Sequence, residues 1–206
     1  MDSEKIKMLR NRITIPLDIG IKLLKENNGD IDSSEKEFHN NNIIEISVLA
    51  ECDFDTARDN YDFCKYNTMK AVEKINSKQV IITTRENPTP RNEIGFILWP
   101  KNKDGENYKT KKRNDAFIPT ADFNYVINEF TSVFPLENPW NKNIEKYFFE
   151  VCGQNYFDNE TCKKIVEKIK QTKTNELKVT KFKNELIEWL SDKLIYADYI
   201  AVYGNL

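Results

Sequence analysis

Histidine is almost missing from this chain, with His39 alone in 206 residues. Four cysteines stand at positions 52, 64, 152 and 162 without a Cys-x-x-Cys pair, so a zinc site is a poor expectation. Catalytic signatures are equally scarce. There is no Gly-rich phosphate loop, no Gly-x-Ser-x-Gly elbow and no histidine pair for a metal, so no enzyme, metal or cofactor is expected. The first twelve residues are charged and lack the apolar core of a signal peptide, and no apolar run reaches membrane-spanning length. The expectation is a cytoplasmic protein with reduced thiols and no membrane partner. A formal net charge of -2, from 31 basic and 33 acidic residues, gives no global pull toward nucleic acid. Any electrostatic recognition must be local.

What is present is enough to fold. An apolar share of 39% and an aromatic share of 12% argue against general disorder, and 206 residues suffice for one large domain or two modest ones. The strongest pattern is a repeat. Ile15 to Phe38 matches Cys52 to Ile75 at an offset of 37 positions (52 − 15). Leu17 falls on Phe54, Asp18 on Asp55, Gly20 on Ala57, Leu24 on Tyr61, Ser34 on Ala71 and Phe38 on Ile75. Small meets small and large meets large, as in helical units that each bury an apolar face against a neighbour.

Read in order, the pattern predicts a helix from Thr14 or Asp18 with Pro16 in its first turn, stopped by Asn28-Gly29. Asp30 caps the next, with Ile31 and Phe38 on its apolar side, and a third helix is expected near Ile43 to Leu49. In the second copy Asp53 or Asp55, and then Asn67 or Thr68, cap two more. Composition changes after Lys78. Gln79 to Thr84 and Glu93 to Trp99 read as strands, the second closed by Pro100, with an irregular break over Asn87 to Asn92. Lys103-Asp104-Gly105 reads as a turn, with Tyr108 to Lys112 returning as a hairpin. Helices are expected from Thr120 or Asp122 through Phe130, over Ile144 to Cys152, over Glu160 to Ile169 and over Phe182 to Leu194. A last strand is expected at Tyr199 to Tyr203. The fold class is α+β: residues 1–78 as an all-helical domain of two similar units, and residues 79–206 as a domain with a small antiparallel or mixed sheet and several helices.

In residues 14–76, Leu23-Leu24, Asn28-Gly29-Asp30-Ile31 and Ala71-Val72 carry a likeness. Both copies resemble ubiquitin-associated-type three-helix modules, most of all the variants in elongation factor Ts and the nascent-polypeptide-associated complex. The resemblance implies a binding module. Ile15-Pro16-Leu17 and Cys52-Asp53-Phe54 stand where ubiquitin binders present Met-Gly-Phe or Met-Gly-Tyr, which argues against ubiquitin as the partner. Leu17 and Phe54 at those turns are the candidate protein contacts, or else core staples between helices.

Other candidates follow from charge. Leu49 to Ala57 has a helix-turn-helix rhythm, but Asp53, Asp55, Asp59 and Asp62 against Arg58 would repel phosphate, so Asp55 and Asp59 fit a protein partner or a solvated face better. Lys101, Lys103, Lys109, Lys111, Lys112 and Arg113 surround Tyr108 in the expected hairpin of residues 101–113, a candidate surface for nucleic acid or an acidic protein, or simply a solubilising loop. A Lys-rich run extends from Lys163 to Lys183. Asp158 with Glu176-Leu177-Lys178 has the spacing of a metal-dependent nuclease triplet. His39 reads as an exposed loop residue, and Cys152 and Cys162 as small core residues on helix faces. The leading expectation is a non-enzymatic protein that binds another protein, with small size suggesting an inhibitor or immunity factor. Nucleic-acid binding by the hairpin is the alternative, and a metal-dependent nuclease comes third.

Overall fold

The computed structural model describes residues 3–86 and 93–205, apart from the side chains of residues 138 and 141–145. The break expected at Asn87 to Asn92 lies outside the described residues. The fold is α+β, with N-terminal helices and a C-terminal five-stranded mixed sheet. Two compact units, divided after Lys78, make up the chain.

The first unit contains α1 (Ser3–Arg12), α2 (Leu17–Glu26), α3 (Ile31–Leu49), α4 (Phe54–Phe63) and α5 (Thr68–Asn76). The repeat reappears in the element boundaries: α2 and α4 start 37 residues apart (54 − 17), as do α3 and α5 (68 − 31). Local chemistry repeats with them. Asp30 Oδ1 accepts from Ser33 N at 2.6 Å and Asn67 Oδ1 from Lys70 N at 2.9 Å, each meeting one of the donors a helix start leaves open. Asp53 caps α4 through Thr56 N at 2.8 Å. Pro16, rather than Thr14 or Asp18, holds the cap position of α2 and makes no side-chain bond there. The paired inward positions are closed to solvent: Leu24 and Tyr61, and Ser34 and Ala71.

Two features of this unit depart from the sequence reading. The segments around Phe38 and Ile43 form one continuous helix, because no glycine or proline interrupts them and its two halves pack in different clusters. Ile31 and Phe38 pack with Leu9, Leu23 and Leu24, whereas Ile43 and Ile46 join Ala57, Tyr61 and Ala71. The repeat also extends upstream. Under the same offset α1 maps onto the second half of α3, with Leu9 and Ile46 both fully buried. Helix α3 is therefore the third helix of one copy and the first of the next, and the copies cannot be separated.

In the second unit the strands are β1 (Val80–Ile81), β2 (Gly95–Lys101), β3 (Ala116–Pro119), β6 (Gln154–Asp158) and β7 (Tyr199–Gly204), in the order β1-β3-β2-β7-β6. β1 runs parallel to β3 and the other pairs are antiparallel. A separate hairpin joins β4 (Leu136–Asn138) to β5 (Asn141–Lys146). Helices α6 (Thr120–Phe123), α7 (Ile127–Thr131), α8 (Asn159–Gln171) and α9 (Leu177–Lys193) supply the rest of the core. Phe96, Leu98, Phe157, Ile200 and Val202 project from alternate strand positions into one cluster with Phe123, Phe130, Ile165, Phe182 and Leu186. Pro100 does not close β2; it pairs with Ile200 inside the strand. Asn205 N donates to Gly95 O, which turns the odd positions of β2 toward β7 and Pro100 N toward β3, where pairing has already ended at Leu98.

The single helix expected from Thr120 to Phe130 is broken. Tyr125 N and Val126 N bond three residues back, to Asp122 O and Phe123 O, so the turn tightens and stops. Buried Asp122 anchors this first piece by accepting from Thr83 Oγ1, Thr84 N and Thr84 Oγ1. The helix expected at Ile144 to Cys152 is also absent. The apolar spacing there mimics a helix, yet Tyr147 and Phe148 are each 68% exposed and the segment is β5 followed by a turn. Asn155, fully buried, fixes that turn: its Oδ1 accepts from Glu150 N and its Nδ2 donates to Glu150 O, both at 2.8 Å. Cys162 is buried, as expected, but Cys152 lies exposed in the turn.

Candidate docking surface

Leu17 and Phe54 open α2 and α4 as exposed residues, 51% and 43% accessible. They are not core staples. Asp55 and Asp59 sit one turn apart on α4 with Arg58 between them, its guanidinium 2.9 Å from Asp55 and 3.8 Å from Asp59. Part of the acidity is thus neutralised on the helix itself. None of these four residues lines the large groove of the unit.

That groove, of about 620 Å³, lies where the two copies meet. Its wall combines Arg12, Pro16 and Ile19 from the start of the first copy, Phe38, His39 and Asn42 from α3, Lys65 and Tyr66 from the turn before α5, and Thr68 and Met69 from the start of α5. His39, expected in a loop, lies in mid-α3. Asn42 Nδ2 donates to the Tyr61 hydroxyl at 2.7 Å, and the same hydroxyl shares a hydrogen bond with His39 Nδ1 at 3.0 Å. Burial pushes the Tyr61 phenol up from its ordinary range. The His39 ring also packs at 4.7 Å from Tyr66 and 5.8 Å from Phe38. Arg12 is held by Asp32 at 2.5 Å and Glu35 at 3.2 Å.

The turn before α5 is strained. Lys65 has φ 52° and Tyr66 φ 62°, a left-handed conformation that costs a residue with a Cβ roughly 1–2 kcal/mol. At the same two places the first copy has Asn28 and Gly29, which adopt it cheaply. The strain points the Tyr66 ring, 59% exposed, at the mouth of the groove beside Met69, 70% exposed. Sequence reasoning missed Tyr66, Met69 and His39. The available signal was an aromatic where the aligned copy has glycine.

The basic hairpin is not assembled. After β2 a single bridge joins Lys101 to Asn107, and no strand forms over Tyr108 to Lys112. The Tyr108 hydroxyl is engaged by Tyr196 O at 2.9 Å and Asp198 at 3.2 Å. Arg113 forms a fork on Asp115 at 2.5 and 2.9 Å, which raises its pKa further. Lys109 and Lys111 are exposed, and Lys112 is half-buried. Along the later Lys-rich run, Lys163, Lys170, Lys178 and Lys181 lie beside Glu160, Glu167, Glu176 and Glu185. Asp158 caps α8 through Thr161 N at 2.6 Å, while Glu176 and Lys178 form an exposed pair at 3.6 Å at the start of α9. The triplet is not gathered into a site, and no group of three metal-ligating side chains occurs among the described residues. No described helix is long and apolar enough to cross a membrane. Comparison with protein families, curated proteins and solved structures gave no match.

Proposed function

We propose that this chain is a non-enzymatic binding protein that docks a protein partner on its helical unit, at the seam between the two copies. The observation that carries the reading is Tyr66. Its ring is held in a costly backbone conformation at the open mouth of a groove, which is where such strain accumulates when a surface is built for binding. Phe38, Ile19 and Met69 supply apolar contact, while Asn42, Thr68 and Lys65 supply polar groups at the same opening. Leu17 and Phe54, exposed at equivalent helix starts, add two apolar side chains to the surface of the unit. Resemblance to ubiquitin-associated-type modules supports a binding role, and the absent Met-Gly-Phe loops favour a partner other than ubiquitin. An inhibitor or immunity factor would fit this description.

The test compares partners captured from the native host by the wild-type chain, by Tyr66→Ala with Met69→Ala, and by Leu17→Asp with Phe54→Asp. The expected result is a partner lost with the first pair while the far-UV spectrum is unchanged. Retention of every partner by both folded variants would refute docking on this unit. Nucleic-acid binding by residues 101–113 has no comparable observation behind it, since Arg113 and Tyr108 are committed to Asp115, Tyr196 and Asp198.

A further inference from the structure

The second unit carries a feature that the docking reading does not use: β6 is an edge strand. Its ladder phase follows from two backbone bonds, Gly204 N to Gly153 O at 3.3 Å and Asn159 N to Asp198 O at 3.0 Å. Asn155 and Phe157 therefore exchange hydrogen bonds with β7, whereas Gln154, Tyr156 and Asp158 turn their backbone groups outward. The outward Gln154 carbonyl is taken by Lys146 Nζ at 2.5 Å. Tyr156 presents its N–H and C=O to the edge, a donor and an acceptor at strand spacing.

Alongside this edge runs a slot. A hollow of about 340 Å³ is walled by Phe134, Leu136, Tyr147, Phe148 and Tyr156, and a second of about 260 Å³ continues past Pro135, Asp158 and Tyr199. Leu136, Glu137, Pro139 and Tyr156 line both. The slot thus lies between β4 and the free edge of β6. Among the described residues its lining carries Glu137, Glu150 and Asp158 against Lys146, and Lys146 is already paired with Glu150 at 2.8 Å. The surplus is negative.

We propose that this slot receives an extended peptide segment of a partner protein, added to β6 as a further strand, with a bulky apolar side chain in the larger hollow and lysine or arginine flanking it. Strand addition supplies affinity through backbone bonds, and a side-chain hollow beside the edge supplies selectivity. Charge complementarity to the carboxylates sets the flanking residues. Until a partner arrives, Lys146 on the Gln154 carbonyl guards the edge against pairing with unrelated strands.

The experiment uses the full chain and an array of seven-residue peptides of alternating pattern, with the central residue varied over apolar types and flanked by lysine, arginine or glutamate. Lys- or Arg-flanked members should bind, and the Glu-flanked equivalents about tenfold more weakly or worse. Methylating alternate backbone nitrogens of the best binder should abolish binding, and the bound peptide should slow Tyr156 amide exchange. Phe148→Ala removes an exposed side chain, so the fold is kept, and it should weaken binding about tenfold. Tyr156→Pro removes the outward donor without touching the β7 ladder and should act in the same direction. The proposal is overturned if no array member binds below about 1 mM. It is equally overturned by binding that ignores both backbone methylation and Phe148→Ala. Self-association of the chain that Phe148→Ala abolishes, without peptide binding, would instead assign the slot to a second copy.

Discussion

Asn155→Ala tests the account of the turn that walls the slot. The amide accepts from Glu150 N at 2.8 Å and donates to Glu150 O at 2.8 Å and to Val202 O at 3.3 Å. Val202 O keeps its ladder bond, so little is lost there. Glu150 is exposed, and water can recover part of what its two backbone groups lose. Two good bonds at about 0.5–1.5 kcal/mol each, plus partial desolvation and the space left by a fully buried side chain, give a loss of about 2–4 kcal/mol. The assay is denaturant unfolding followed by tryptophan fluorescence. Trp99, Trp140 and Trp189 all lie in the second unit, so the signal reports that unit alone. Asn155→Asp should be worse at neutral pH, because it sets a buried carboxylate against two carbonyls. A loss below about 1 kcal/mol for Asn155→Ala would refute the claim that this side chain holds the turn.

Lys65→Asn should stabilise the helical unit by about 0.5–1 kcal/mol, read by circular dichroism, since asparagine adopts the left-handed turn more cheaply. Ala71→Leu should cost about 1–3 kcal/mol by overpacking a closed position, whereas Ser34→Ala, which installs the residue of the other copy, should stay within about 1 kcal/mol of zero. The cap carboxylates of Asp30 and Asp53 lie below the ordinary aspartate range because the Ser33 and Thr56 backbone N–H groups favour the charged form. Their contribution is present above about pH 4 and is lost as pH falls through the lowered values; Asp30→Asn with Asp53→Asn should flatten helicity against pH in that window. Arg113→Ala should destabilise the second unit by about 1–2 kcal/mol, leaving buried Asp115 with Gln79, while Lys109→Ala and Lys111→Ala should each change stability by less than about 0.5 kcal/mol.

Where the sequence was legible, one element sufficed to impose its own pattern. The stripes of α8 and α9 form as read, because each buries its apolar positions against one face, and the last strand forms at Tyr199 as expected. Where it was not, distant partners decide. The Tyr147-Phe148-Val151 spacing is helical, yet Asn155 closes a turn there, and Tyr147 and Phe148 wall a slot instead. Phe123, Val126 and Phe130 are buried as a helical stripe would bury them, but the backbone between them breaks where Asp122 bonds to Thr83 and Thr84. The basic segment illustrates a different failure: composition placed six cations together, and a buried aspartate then claimed the arginine.

The repeat shows where structure and function part company. Its common residues, at Leu24 and Tyr61 and at Ser34 and Ala71, explain how the copies fold and stack. They say nothing of a partner, because any sequence with those sizes would pack alike. The differences are informative instead. Asn28-Gly29 makes its turn at little cost, whereas Lys65-Tyr66 makes the same turn at a greater one, and what the chain obtains is an aromatic ring over His39 at an open groove. The Tyr66 ring packs on Tyr61 and His39 yet stays 59% exposed, and a backbone position that breaks a local rule to hold an exposed aromatic at a groove is where binding has the strongest physical claim. On that ground the second copy, and Tyr66 within it, is the part of the helical unit where a partner should first be sought.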